Sequence, residues 1–149
     1  MPTYICSIRS GSLDTGRKQA IANAITQAHA ETTGAPACFA QVMFREIDAG
    51  DHFVGGVPLG HDHLFIHGEI RAGRSAELCD TLIRRLTRDV AETAGVDPFA
   101  VWVYLIELPA AMMVEFGHVL PQPGKESDWI RSLSAADRAR LARLGDPES

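Results

Sequence analysis

Short alternating segments and longer helical periods follow one another along the chain. Thr3–Arg9 (Thr-Tyr-Ile-Cys-Ser-Ile-Arg) is rich in strand-favouring residues and stops at the turn Ser10-Gly11-Ser12, which predicts a strand. Asp14 or Thr15 can cap a helix that runs to Thr33, with Ile21, Ile25 and Ala28 as its buried stripe and Gly34 as its stop. A second strand is predicted over residues 39–47. Residues 49–63 hold Gly50, Gly55, Gly56, Pro58 and Gly60, the composition of a long loop or hairpin. Residues 64–70 read as a third strand. Gly73-Arg74-Ser75 opens a second helix with Leu78, Leu82, Leu86 and Val90 on one face, Gly95 ends it, and residues 99–108 form a fourth strand.

The two halves match at an offset of 61. Glu31-Thr32-Thr33-Gly34 aligns with Glu92-Thr93-Ala94-Gly95, Tyr4-Ile5 with Phe65-Ile66, and Glu46-Ile47 with Glu107-Leu108. This is a duplicated β-α-β unit, with pseudo-repeats at about 2–48 and 63–109 in one domain spanning 1–149. Each unit should pair its strands in parallel through a right-handed crossover. The fold class expected is α/β: a four-stranded sheet with two helices on one face. The opposite face is left bare and apolar, and self-association is the simple way to cover it. Residues 110–149 resemble neither half. They should be an irregular extension, with a turn at Pro121-Gln122-Pro123-Gly124, a short helix capped at Ser134 and ending near Leu144, and a frayed end over 145–149.

Composition narrows the class. The chain has 149 residues, 46% hydrophobic and 22% charged, as expected of a globular protein. A net charge of −5 argues against nucleic acid as a partner. No apolar run is long enough to span a bilayer and no basic-then-apolar leader is visible, so a cytoplasmic protein without membrane partners is expected. Cys6, Cys38 and Cys79, an odd number without Cys-x-x-Cys spacing, read as reduced and mostly buried thiols.

Candidate chemistry begins at Pro2. Removal of Met1 would expose a secondary amine able to give or take a proton near neutrality; alternatively, Pro2 simply opens an edge strand. His29 replaces the apolar Val90 of the other copy, four residues after Ile25, and reads either as a packed core histidine or as a ligand-facing group. Arg71 and Arg74 flank a strand-to-helix turn, where two guanidiniums beside a helix N-terminus suit a carboxylate, or are two solvated loop arginines. Tyr104 lies mid-strand, where a buried hydroxyl would need a partner. Glu115 sits among Met112, Met113, Val114 and Phe116, a setting that raises a carboxyl's pKa when buried. His52, His61, His63 and His67 cluster in a glycine-rich stretch that reads as a mobile loop rather than a metal site.

Taken together, these features resemble the tautomerase superfamily, and within it the cis-3-chloroacrylic acid dehalogenase group. The resemblance spans nearly the whole chain. It rests on Pro2, the duplication, Ala-Ile-Thr-Gln-Ala-His at 24–29, Gly-Arg-Ser at 73–75, Trp-Val-Tyr at 102–104 and Leu-Pro-Gln-Pro-Gly at 120–124. It implies a homotrimer with no metal or organic cofactor and a small anionic substrate. It also implies roles: His29, Arg71 and Arg74 bind the substrate carboxylate, Tyr104 and Glu115 activate water, and Pro2 delivers a proton. Two segments depart from the pattern: Ala35-Pro36-Ala37-Cys38-Phe39-Ala40, and Phe116-Gly117-His118 where Tyr-Gly-Arg is expected. The activity implied is hydration or dehalogenation of small 3-substituted unsaturated acids. The alternatives are a keto–enol tautomerase with Pro2 as base, and a non-catalytic trimeric binding module.

Overall fold

The structure, a computed structural model, describes residues 2–144. Its elements are β1 (Thr3–Arg9), α1 (Thr15–Thr33), β2 (Gln41–Ile47), β3 (Phe53–Val54), β4 (Val57–Pro58), β5 (Leu64–Arg71), α2 (Ala76–Ala94), β6 (Val101–Leu108), β7 (Val114–Glu115), β8 (His118–Val119), α3 (Glu126–Ser132) and α4 (Ala135–Leu141). Both long helices start and stop at residues whose chemistry announces it. The Asp14 side chain accepts from the Arg17 N–H and the Ser75 side chain from the Leu78 N–H; Gly34 and Gly95 close the helices in left-handed conformation.

The strand order is β2-β1-β5-β6. β1 is parallel to β2 and β5 to β6, while β1 and β5 run antiparallel at the central seam. Tyr4, Cys6, Ile8, Ile66 and Ile70 point from the sheet toward Ile21, Ile25, Leu82, Leu86 and Val90 of the helices, and this is the main core. The other face carries Met43, Trp102, Tyr104 and Ile106, all exposed, and is the bare apolar face anticipated. Among the described residues no helix is long and apolar enough to cross a membrane.

The structure corrects several sequence expectations. The second and fourth strands start later, because Ala37–Phe39 and Pro98–Ala100 close 3-10 turns first. The cysteines are not mostly buried: only Cys6 is, while Cys79 is half-buried and Cys38 exposed; all three are free. The offset of 61 holds for both helices and for β2 against β6, but not for β1 against β5. Thr3 pairs with Gln41, whereas Phe65 pairs with Trp102. The first strands therefore superpose at 62, so Tyr4 corresponds to Ile66 and Pro2 to Leu64, and the extra residue lies in the turn before α1. The segment after β6 does continue the repeat. The hairpin β3–β4 recurs as β7–β8 at the same offset of 61. Its two-residue turns are Gly55-Gly56 and Phe116-Gly117, all four with positive φ. The tail also holds α3, which the sequence reading missed. Residues 145–149, expected to fray, lie outside the described residues.

The tail builds a second core. Leu120, Leu133 and Leu141 pack with Phe39 and Ala110, and the indole N–H of Trp129 donates to the Val119 carbonyl at 2.9 Å. His118 lies 3.3 Å from the Asp137 carboxylate. The tail helices thus clamp the β7–β8 hairpin against the sheet.

Candidate active site

The ends of β1, β5 and α1, together with the β7–β8 hairpin and the first turn of α3, converge on one corner. Arg71 is the last residue of β5 and is only 2% exposed. Its guanidinium donates to the Pro121 carbonyl at 2.6 Å and to the Glu126 carboxylate. Gly73, at φ 107, bends the chain back, so that Arg74 donates to the Arg71 carbonyl at 2.6 Å. Burial, and then the Arg71 charge, push the Arg74 guanidinium's pKa down.

His29 reaches the same corner from the buried face of α1 and is 2% exposed. Burial pushes its imidazole down to about 3, reinforced by the nearby Arg74 and Arg71. It is therefore neutral at physiological pH and contacts the Tyr4 hydroxyl at 2.7 Å. His29 Nε2 and Arg71 Nε are both buried without a hydrogen-bond partner among the described residues. Native interiors rarely leave such atoms unmatched. Two of them in one cationic corner suit an anionic ligand.

Pro2 is buried, and its carbonyl accepts from the Gln41 N–H at 3.0 Å. The following residue, Thr3, pairs across the seam with Glu69, two positions before Arg71. Thr3, Phe39, Glu69, Met113, Glu115 and Phe116 are among the residues lining a cavity of about 710 Å³ on the open sheet face. Burial raises the Glu115 carboxyl, against the opposing charge of Arg71. The chain thus brings Pro2, His29, Arg71, Arg74 and Glu115 to one region.

Tyr104 is not among them. It is 56% exposed on the bare face, packs edge-on against Phe65 at 5.0 Å, and pairs with His67, four residues short of Arg71. Four strand residues span about 13 Å. Sequence reasoning missed Glu126 and Tyr4. An acidic residue in the first turn of a helix is common, so Glu126 carried no signal. Tyr4 had one, because it is the hydroxyl-bearing position of the otherwise apolar core stripe Tyr4, Cys6 and Ile8. Of the histidines in the 52–63 stretch, His63 stacks edge-on at 5.2 Å from His52 and 5.0 Å from Trp102 between ring centres, while His61 Nδ1 lies 2.9 Å from the Asp62 carbonyl. Among the described residues no His, Cys, Asp and Glu group is placed to hold a metal ion.

The sequence profile of the family described as "Putative oxalocrotonate tautomerase enzyme" matches residues 1–133. The chain belongs to the tautomerase superfamily. Within this superfamily it is similar to a solved structure of N1, a member of the cis-3-chloroacrylic acid dehalogenase family. The two are 37% identical, with 95% of this chain and 99% of that chain covered and a TM-score of 0.92. It is also similar to Pt0534 inactivated by 2-oxo-3-pentynoate, at 25% identity, 79% and 94% coverage and a TM-score of 0.72. A fused 4-OT described as a symmetric trimer matches at 26% identity, with 79% and 94% coverage and a TM-score of 0.72. No curated protein matches the chain. The fold is therefore shared over almost the whole length with a dehalogenase-family structure, and over about four fifths with Pt0534 and a fused 4-OT.

Proposed function

We propose that this tautomerase-superfamily protein is a cofactor-free hydratase or dehalogenase acting on small 3-substituted unsaturated carboxylic acids. The observation that carries this reading is the corner where Arg71, Arg74 and the unmatched Nε2 of His29 converge beside Glu115. Arg71 and Arg74, helped by His29, bind the substrate carboxylate, and the two guanidiniums draw electron density from the double bond. Glu115 takes a proton from water, whose oxygen bonds to the β-carbon. Pro2, freed of Met1 and protonated, gives its proton to the α-carbon. With a 3-haloacrylate the resulting halohydrin expels halide and a proton, leaving malonate semialdehyde. Tyr104 orients the water from a neighbouring copy of the chain, in a homotrimer whose subunits cover one another's bare sheet faces. The likeness to N1, a dehalogenase-family member, supports the chemistry, and the trimeric fused 4-OT supports the assembly.

The test is turnover of cis-3-chloroacrylate and propiolate by the mature protein. Pro2→Ala and Arg71→Ala should each nearly abolish it, and full activity in either variant overturns the reading. Mass spectrometry should find Met1 removed; its retention leaves the proline nitrogen an amide and favours a binding module instead.

A second reading, keto–enol tautomerisation with Pro2 as base, draws on the match to the oxalocrotonate tautomerase family. It needs no water. Glu115→Gln should spare enol ketonisation while removing hydration, and equal loss of both argues against this division of roles.

A further inference from the structure

Tyr4 takes no part in the reaction just described, yet it is wholly buried and meets the site. Its hydroxyl lies 2.7 Å from His29 Nδ1, its only hydrogen-bond partner among the described residues. The rings stand edge to face at 5.8 Å. Burial raises the phenol's pKa, so the hydroxyl keeps its proton at neutral pH. A buried O–H without an acceptor is costly, and Nδ1 is the acceptor within reach. The imidazole, held neutral by burial, carries one proton. If Nδ1 accepts, that proton sits on Nε2, the atom buried and unmatched in the cationic corner.

Resting on the reading of that corner as a carboxylate site, we infer that Tyr4 is a positioning residue: it fixes His29 as the Nε2–H tautomer and so makes it a donor to the substrate carboxylate. The opposite tautomer would turn a lone pair toward the anion and leave the Tyr4 proton without an acceptor.

The fold makes space for this pair at one point. Tyr4 faces Gly68 across the antiparallel seam. A Cβ at residue 68 would stand 2.5 Å from the Tyr4 ring and 2.8 Å from Leu105, so glycine is required there for room. In the other half of the duplication, Ile66 and Val90 occupy the positions of Tyr4 and His29. Both members of the pair are exchanged together, as expected of groups that act through each other.

Nitrogen-15 NMR of histidine-labelled, ligand-free protein at pH 7 reads the tautomer directly. The expected result for His29 is a protonated Nε2 and an unprotonated, hydrogen-bonded Nδ1. Tyr4→Phe should lose this preference and raise KM for cis-3-chloroacrylate about tenfold, the effect of weakening one hydrogen bond to a charged group, while kcat changes less than about threefold. A protonated Nδ1 in the wild type overturns the inference. So does a Tyr4→Phe protein that keeps the Nε2–H tautomer. The NMR needs no turnover, so a wild-type protein inactive on unsaturated acids would defeat the proposed function while the tautomer still decides the role of Tyr4.

Discussion

The carboxylate of Glu126, in the first turn of α3, closes on the guanidinium of Arg71 at the end of β5. The two side chains are 16% and 2% exposed, so the pair is shielded from water and from salt. The C-terminal segment is therefore part of the wall that holds the arginine in place, along with the Pro121 carbonyl.

Removing that carboxylate should leave a buried cation poorly compensated. Glu126→Ala is expected to lower stability by about 2–3 kcal/mol, toward the low end for a broken buried pair because Glu126 keeps some exposure. Thermal melts measure this. Glu126→Gln keeps an acceptor and should recover part of the loss.

The same pair sets an acid limit. Burial works to raise the Glu126 carboxyl, but the Arg71 hydrogen bond outweighs it and holds the pKa below the usual carboxylate value. A lowered folded-state pKa contributes stability that is complete above the unfolded value and fades as pH falls through the folded one. Denaturation followed from pH 6 down to pH 2 should show wild type losing more stability than Glu126→Gln. Parallel curves would remove the pair from the account.

Gly68 has no positive φ to explain it, only lack of room. Gly68→Ala should cost about 1–3 kcal/mol through overpacking against Tyr4 and Leu105, visible as a lower urea midpoint. An unchanged midpoint would mean that the seam yields there.

Phe116 is the one non-glycine residue with positive φ among those described, at 54°. Its counterpart in the first hairpin is Gly55. Phe116→Gly should remove about 1 kcal/mol of left-handed strain, partly offset by the lost contacts of the ring, whereas Phe116→Val should destabilise. Melting temperatures in the order Val below Phe check this.

The bare sheet face carries Ile106, 44% exposed, between Tyr104 and Leu108 on β6. Ile106→Glu places a charge where subunits are proposed to meet, and should shift the sedimentation profile from trimer to monomer. Retention of a trimer would place the contact elsewhere.

Much of this fold was legible because its signals are local. Asp14, Gly34, Ser75 and Gly95 mark helix ends by capping chemistry that needs no tertiary context, and α1 and α2 end where those residues say. The strand starts at Gln41 and Val101 were misjudged because the preceding 3-10 turns carry apolar Phe39 and Phe99, which look like strand residues. The one-residue shift between β1 and β5 was invisible because Tyr4-Ile5 matches Phe65-Ile66 in type; only pairing and burial show which side chains face the helices. The second hairpin was missed because Phe116-Gly117 replaces Gly55-Gly56, and the glycine signal weakens although the turn is kept. Within the site, His29 was readable as a polar interruption of an apolar repeat, and Arg71 and Arg74 as two guanidiniums at a strand-to-helix turn. That Arg71 would pair with Glu126 and His29 with Tyr4 was not, since pairing across 55 and 25 positions is a property of packing.

The duplication has a consequence for how many reactive centres a chain can own. Pro2 and Leu64 hold equivalent places in the two halves, but a polypeptide has a single beginning. Leu64 lies inside the chain, so its nitrogen is an ordinary peptide nitrogen. In the second half Ile66 and Val90 stand opposite Tyr4 and His29, and in the first half Val54 stands opposite Glu115. On the proposed reading the two halves therefore divide a single centre between them, the first contributing Pro2 and His29 and the second Arg71, Arg74 and Glu115.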